Sequence, residues 1–417
     1  MLRTSNLQNS RQTLGALFLR AIWILLLTAS MIFASVGEIG QAQREIILII
    51  DNDPATEDYM GLMMALKWPN VKIEALTVAP GVIPDVDIAA TNLLKFLEYL
   101  GRQDIPVAVG VRKPLKGDVI FPKDWTDHWV HFWDDYPTAV SSIAEMNAVD
   151  LIISRIMSLP GQLTLVATGP LTNIASAIQK EPRIVQNVQR IVIMGGTTLP
   201  EVDDLSYVPG TSRVAEFNIF TDPEAGSIVF GSGAQITMVG LNAAIKARLT
   251  SELLERIKLL DNGASRLIDR MFSSYFVPGG PVVFETPLWD TLTIAASVDP
   301  SFVTTQTSRV KVVLEPRSTR GRTLVTKDPS GNVNVSLDVD SERLSSLILE
   351  LLSKYAIATT TTTTTTITVE RQFTTTAVST IETRIPDATA QAYVAAVSAI
   401  AGFAIGLLIG RRKKTAA

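Results

Sequence analysis

The densest chemistry in the chain lies in eight residues, Asp51-Asn52-Asp53-Pro54-Ala55-Thr56-Glu57-Asp58, of which four are acidic. They follow Glu45-Ile46-Ile47-Leu48-Ile49-Ile50, a continuous apolar, β-branched run of the kind found in strands buried on both faces. Pro54 fixes the turn and removes a donor. Glu57 and Asp58 fall at the start of the next helical pattern, where acids favour the positive end of the helix dipole. Capping needs one or two carboxylates. Four so close together repel one another unless a cation sits among them, and a hard divalent ion takes oxygen ligands.

Little else in the composition competes with carboxylate chemistry. The 417 residues contain no cysteine, which excludes disulfides, thiolate metal sites and cysteine nucleophiles. The two histidines, His128 and His131, are too few for a histidine-rich zinc site. The net charge of −4, without a long basic stripe, gives no support to a nucleic-acid partner.

A second cluster is aromatic. Trp125, Trp129 and Trp133 recur every four residues with His128 and His131 between them. That spacing lines the tryptophans along one helical face. Such a face either packs on the body or forms a lid over a pocket, with one of the two imidazoles serving as an acid.

The elements that must position these residues alternate between strand and helix. The pattern predicts strands at 45–50, 72–78, 163–167 and 190–194, and helices at 57–68, 87–100 and 171–179. That alternation means a mostly parallel sheet with helices on both faces, and ligands bind such sheets at the carboxyl ends of the strands.

The ends of the chain read differently. Residues 1–43 hold Arg3, Arg11 and Arg20 and then an uncharged run from Ala21 to Val36, which reads as a signal peptide or an N-terminal anchor. The body is assigned to 44–355. Residues 356–391 form a Thr-rich stalk, with eight consecutive threonines from Thr359 to Thr366. Ala392 to Gly410 is 19 uncharged residues, long enough for a transmembrane helix, and the basic tail 411–417 begins with Arg411-Arg412-Lys413-Lys414. Positive charge stays on the cytoplasmic side. The expected placement is therefore the cell membrane, with the body outside and the short tail inside.

Several segments, in order, carry a resemblance: Asp51 to Asp58, Ala167-Thr168-Gly169-Pro170-Leu171-Thr172-Asn173, Ile193-Met194-Gly195-Gly196, Ala215-Glu216-Phe217-Asn218 with Asp222-Pro223-Glu224-Ala225, and Leu288-Trp289-Asp290. Across roughly 45–350 the chain resembles the inosine-uridine preferring nucleoside hydrolases. The resemblance implies a Rossmann-like sheet, a bound Ca²⁺, and hydrolysis of ribonucleosides to base and ribose. It implies that Asp53, Asp58, the Thr168 carbonyl and Asp290 hold the ion, and that Asp53 accepts a proton from the attacking water. Glu57, Glu216 and Asn218 would bind ribose.

The departures from that pattern are specific. Ala55 replaces a glycine and Glu57 an aspartate. Gly81 and, by a looser alignment, Gly210 stand where the family has asparagine. Trp289 replaces a histidine that serves many members as the leaving-group acid. It would stack on the base or pack in the core, and His128 or His131 would supply the missing acid. Two other readings follow: a non-catalytic nucleoside receptor feeding a transporter, and a stalked adhesion protein. Ribose release, tight binding without release, or neither would separate them. The sequence leaves a homo-oligomer open.

Overall fold

The computed structural model describes residues 44–355 except 56, 119–120, 122, 202–212 and 274–284, and except the side chains of 124 and 125. The signal or anchor segment, the stalk, the C-terminal span and Gly210 lie outside the described residues. Among the described residues no helix is long and apolar enough to cross a membrane.

Eleven strands occur among the described residues: β1 Ile46–Asn52, β2 Val71–Val78, β3 Val107–Val109, β4 Leu163–Ala167, β5 Arg190–Met194, β6 Ile236–Val239, β7 Arg248–Thr250, β8 Glu285–Pro287, β9 Val303–Val312, β10 Thr323–Lys327 and β11 Val333–Val339. Nine form one sheet in the order β10-β9-β11-β6-β5-β4-β1-β2-β3, and β7 pairs with β8 in a separate ribbon. From β3 through β11 the pairing is parallel. Only β9 runs against its neighbours. The antiparallel edge is a finding that the strand–helix alternation did not predict. The expected strands at 163–167 and 190–194 agree with β4 and β5, and the other expected boundaries differ by one or two residues.

The apolar run of β1 alternates between two cores. Leu48 and Ile50 enter one, together with Tyr59, Met63, Phe96, Trp133, Leu292 and Ile348. Ile47 and Ile49 enter the other, with Ile152, Leu165, Ile174 and Val229. Each such buried side chain contributes roughly 1.5–3 kcal/mol. Both faces are therefore covered, which is why β1 carries no polar alternation until its final residues Asp51 and Asn52.

The strand order reverses between β1 and β4, because β2 and β3 lie to one side of β1 while β5 and β6 lie beyond β4. The crevice at the carboxyl ends of the strands around such a reversal is where open α/β sheets bind ligands. The Asp51–Asp58 turn leaves β1 there, and Thr168 and Gly169 leave β4 beside it.

Candidate active site

The polar residues at this crevice are buried. Asp51, Asn52 and Glu57 are fully shielded, and Asp53, Asp58, Thr168, Glu216 and Asp290 nearly so. Asp53 sits between two loops. Its Oδ2 accepts from the Val82 N–H at 3.0 Å. A Cβ on Gly81 would overlap its carboxylate, and one on Gly169 would come within 2.7 Å of its Oδ1. Gly81, at a position where the resemblance leads one to expect asparagine, thus leaves the space that the Asp53 carboxylate fills.

Asp58 is held by the Ala55 N–H at 3.1 Å and the Thr168 hydroxyl at 2.8 Å. Asn218 donates from Nδ2 to the Thr168 carbonyl at 3.1 Å and to the Met194 carbonyl at 3.2 Å. Glu216 caps its own short helix through the N–H groups of Asn218 and Ile219, and also accepts from the Gly196 N–H. Glu57 is committed elsewhere than the sugar contact the sequence implied. Its two oxygens accept from the backbone of Asp290 and Thr291 and from the Thr291 hydroxyl.

Electrostatics ties the distant carboxylates together. Burial is the largest cause pushing up the pKa of Asp290, and the charges of Asp58, Glu57 and Asp53 push it further. Burial raises Asp58 well above the usual carboxylate range, with Asp53 and Glu57 adding to it. Asp53 is pushed up to about 8 by burial, with smaller contributions from Glu216 and Asp51. Asp290 therefore faces the pocket formed by the first turn, and its Oδ1 is buried without a hydrogen-bond partner.

Among the described residues no three His, Asp or Glu side chains are arranged to grip an ion as they stand. Asp53 is turned onto Val82, and Asp58 is turned onto Thr168 and Ala55. The donor set nevertheless fits a hard cation. It is all oxygen, it gathers mutually repelling carboxylates, and it includes one orphaned acceptor.

Trp289 is half-buried and packs with Met194, Leu241, Phe217 and Ile245. Its Nε1 is buried without an acceptor. Phe217 lies against Phe121, with ring centroids 3.8 Å apart, and so joins the segment before the tryptophan helix to the Glu216–Asn218 motif.

The helix Lys123–His131 packs on the body through Trp129, and Trp133 continues that contact just beyond its end. Trp129 and Trp133 are buried, and Trp133 Nε1 donates to the Tyr59 hydroxyl at 3.1 Å. His131 is corrected from an acid candidate to a surface residue: its side chain is 69% exposed and its Nδ1 pairs with Asp134 at 2.8 Å. An imidazole so open to water has no shielded substrate to protonate. His128 stands edge-on to Trp129, and burial lowers its pKa, which disfavours the charged acid form. Thr126 of the same helix donates to the Val82 carbonyl, so the helix braces the loop that holds Asp53.

Sequence reasoning missed three participants. Thr291 follows Asp290 in a helix that also holds Thr293 and Ser297, and nothing in its type singles it out. Gly81 reads as a loss. Asp51 accepts at Oδ1 from Thr77 Oγ1 at 2.5 Å and Asn173 Nδ2 at 2.8 Å, which ties β1 to β2 and to the start of the helix Thr172–Lys180 after β4. A buried acid ending a strand was the one available signal for it.

Comparison with known proteins agrees with this geometry. The family described as inosine-uridine preferring nucleoside hydrolase matches residues 48–346. The pyrimidine-specific ribonucleoside hydrolase RihA of Enterobacter sp. (strain 638) is 32% identical over 318 residues, covering 74% of this chain and 98% of that protein. Among solved structures, the plant nucleoside hydrolase PpNRh1 superposes with a TM-score of 0.64 at 31% identity, covering 74% of this chain and 99% of its own. The purine-preferring ribonucleoside hydrolase from Gardnerella vaginalis gives 0.66 at 28%, covering 74% and 98%. With the carboxylate pocket at the strand reversal and a match of this extent, the chain belongs to the inosine-uridine preferring nucleoside hydrolase family and is an N-glycosidase of ribonucleosides.

Proposed function

We propose that the chain is a Ca²⁺-dependent ribonucleoside hydrolase displayed on the outer face of the cell membrane. The observation that carries the chemistry is the burial of Asp290 against Asp53 and Asp58, acids from opposite ends of the body, with an acceptor left unpaired. Asp53, Asp58, Asp290 and the Thr168 carbonyl would hold the ion. When bound, a hard divalent cation supplies Lewis acidity toward water and the ribose hydroxyls. Calcium as its identity rests on the family resemblance.

Asp53 accepts the proton of the attacking water as a C1′–O bond forms and the C1′–N bond breaks. The glycosyl centre passes through an oxocarbenium-like state, which the surrounding carboxylates stabilise. Glu216 and Asn218 border the sugar, and the half-buried indole of Trp289 stacks on the base. Indole offers a hydrogen bond but no transferable proton, and burial disfavours the charged form of His128, which leaves water as the proton source for the departing base. The outward placement rests on the Ala392–Gly410 run and the four cations after it.

The relatives include a pyrimidine-specific and a purine-preferring ribonucleoside hydrolase. The test therefore incubates the full chain with inosine, uridine, adenosine and cytidine, with and without chelator. Release of ribose that chelator stops and Ca²⁺ restores is expected. Release indifferent to chelator would overturn the ion's role.

A further inference from the structure

Glu57 stands where the family resemblance implies a sugar-binding aspartate, yet its carboxylate meets a helix. Oε1 accepts from the Asp290 N–H at 2.6 Å. Oε2 accepts from the Thr291 N–H at 2.8 Å and from Thr291 Oγ1 at 2.6 Å. The first N–H groups of a helix lack intrahelical partners, and the dipole there favours an anion. The helix in question is Trp289–Val298, which carries Asp290. The two ends of this contact are 233 positions apart in the chain.

A second observation shows why the reach matters. One turn after Glu57, at Gly61, the helix Asp58–Lys67 meets the helix Trp289–Val298 so closely that a Cβ would lie 2.8 Å from Ile294 Cδ1 and 3.2 Å from Thr291 Cα. The two helices are thus pressed together at Gly61 and pinned at their starts by Glu57. Asp58 is the next residue in the chain, and Asp290 donates its own N–H to the pin. Two of the three carboxylates assigned to the ion therefore flank it. An aspartate is one methylene shorter and has that much less reach toward Thr291.

We propose that Glu57 is a positioning residue that fixes Asp290 against Asp58 and so sets the geometry of the ion site, leaving ribose to other side chains. This rests on the ion-dependent reading above. It has a consequence for the chain's departures from its family: the aspartate-to-glutamate change exchanges a sugar contact for a helix clamp.

The test is calorimetric titration of Ca²⁺ into the full chain without nucleoside, for the wild type and for Glu57→Gln, Glu57→Asp and Thr291→Val. Outer-shell partners of metal ligands are typically worth about 10–100-fold in affinity. Glu57→Gln and Glu57→Asp should weaken Ca²⁺ by that order. Thr291→Val removes only the hydroxyl and should weaken it in the same direction by less. Ribose affinity at saturating Ca²⁺ should stay at the wild-type value in all three. Thr291→Val keeps the Glu57 carboxylate and nearly the same shape, so it carries the test by itself if the Glu57 variants do not fold. Unchanged Ca²⁺ affinity in the variants, with weakened ribose binding by Glu57→Gln, would overturn the clamp and restore the sugar contact. A wild type that binds no Ca²⁺ would overturn both the clamp and the ion-dependent reading.

Discussion

The turn after β1 and the aromatic helix at 123–131 are both runs of chemically loaded residues, and they behave in opposite ways. In the turn, acids are buried beside one another, each raises the pKa of its neighbours, and Asp290 Oδ1 has no partner. In the helix and the residues just after it, the described polar groups are satisfied or open to water. Trp133 donates to Tyr59, Asn92 binds the Trp129 carbonyl, and His131 pairs with Asp134 at the surface. Buried polar groups are costly unless paired. A buried, self-repelling set of acids is relieved either by protonation or by a cation bound among them. The comparison thus separates a reactive site from a packed face, although their residue types looked equally suggestive.

The most severe way to break this contrast is Asp53→Asn, which keeps shape and removes the proton acceptor. A positioned base is worth about 10²–10⁴-fold, so kcat should fall by that much while the melting temperature is retained. Unchanged turnover would remove Asp53 from the mechanism. Trp133→Ala acts on the other region. Truncating a buried tryptophan should cost about 3–5 kcal/mol in denaturant unfolding, with kcat of the folded protein preserved. A ten-fold or greater loss of kcat in protein shown to be folded would turn the packed face into part of the site.

Ion-free protein should reveal the burial of these acids through pH. Burial pushes Asp51 up to about 7 and Asp53 up to about 8, from an ordinary 3.8. A carboxyl whose pKa is higher when folded favours the folded state fully below its unfolded pKa. That stability is lost as pH rises through the folded value. The chelated protein should therefore melt at progressively lower temperature between about pH 4 and pH 8, and added Ca²⁺ should reverse the loss at the upper end. A melting temperature flat across that window would mean the pocket is satisfied without an ion. The smallest effect is expected for His131→Ala. An exposed ion pair contributes about 0–1 kcal/mol, and activity should be unchanged. A fall in kcat would reinstate His131 as a participant.

Much of the fold was legible because periodicity is local. The Ile46–Ile50 run could only be a strand covered on both sides, and β4 and β5 fell where their apolar runs lay. The strands β9 and β10, at one end of the sheet, were harder to see. Val303–Val312 alternates between buried and exposed, and only the register against β11 decides that it runs antiparallel. In the site, Asp53, Asp58, Thr168, Glu216, Asn218 and Asp290 were named from the sequence and are brought to one crevice. Their hydrogen bonds were not legible.

The sequence by itself determined that this is an α/β chain with carboxylate rather than thiol chemistry, that its acids follow the first strand, and that it resembles one hydrolase family. Residue type and spacing along the chain suffice for those. Tertiary structure decided that Glu57 clamps a helix, that Gly81 makes room for a carboxylate, and that His131 faces water. Those outcomes depend on which distant backbone arrives within a hydrogen bond's length, and that distance is set by how helices pack across a sheet.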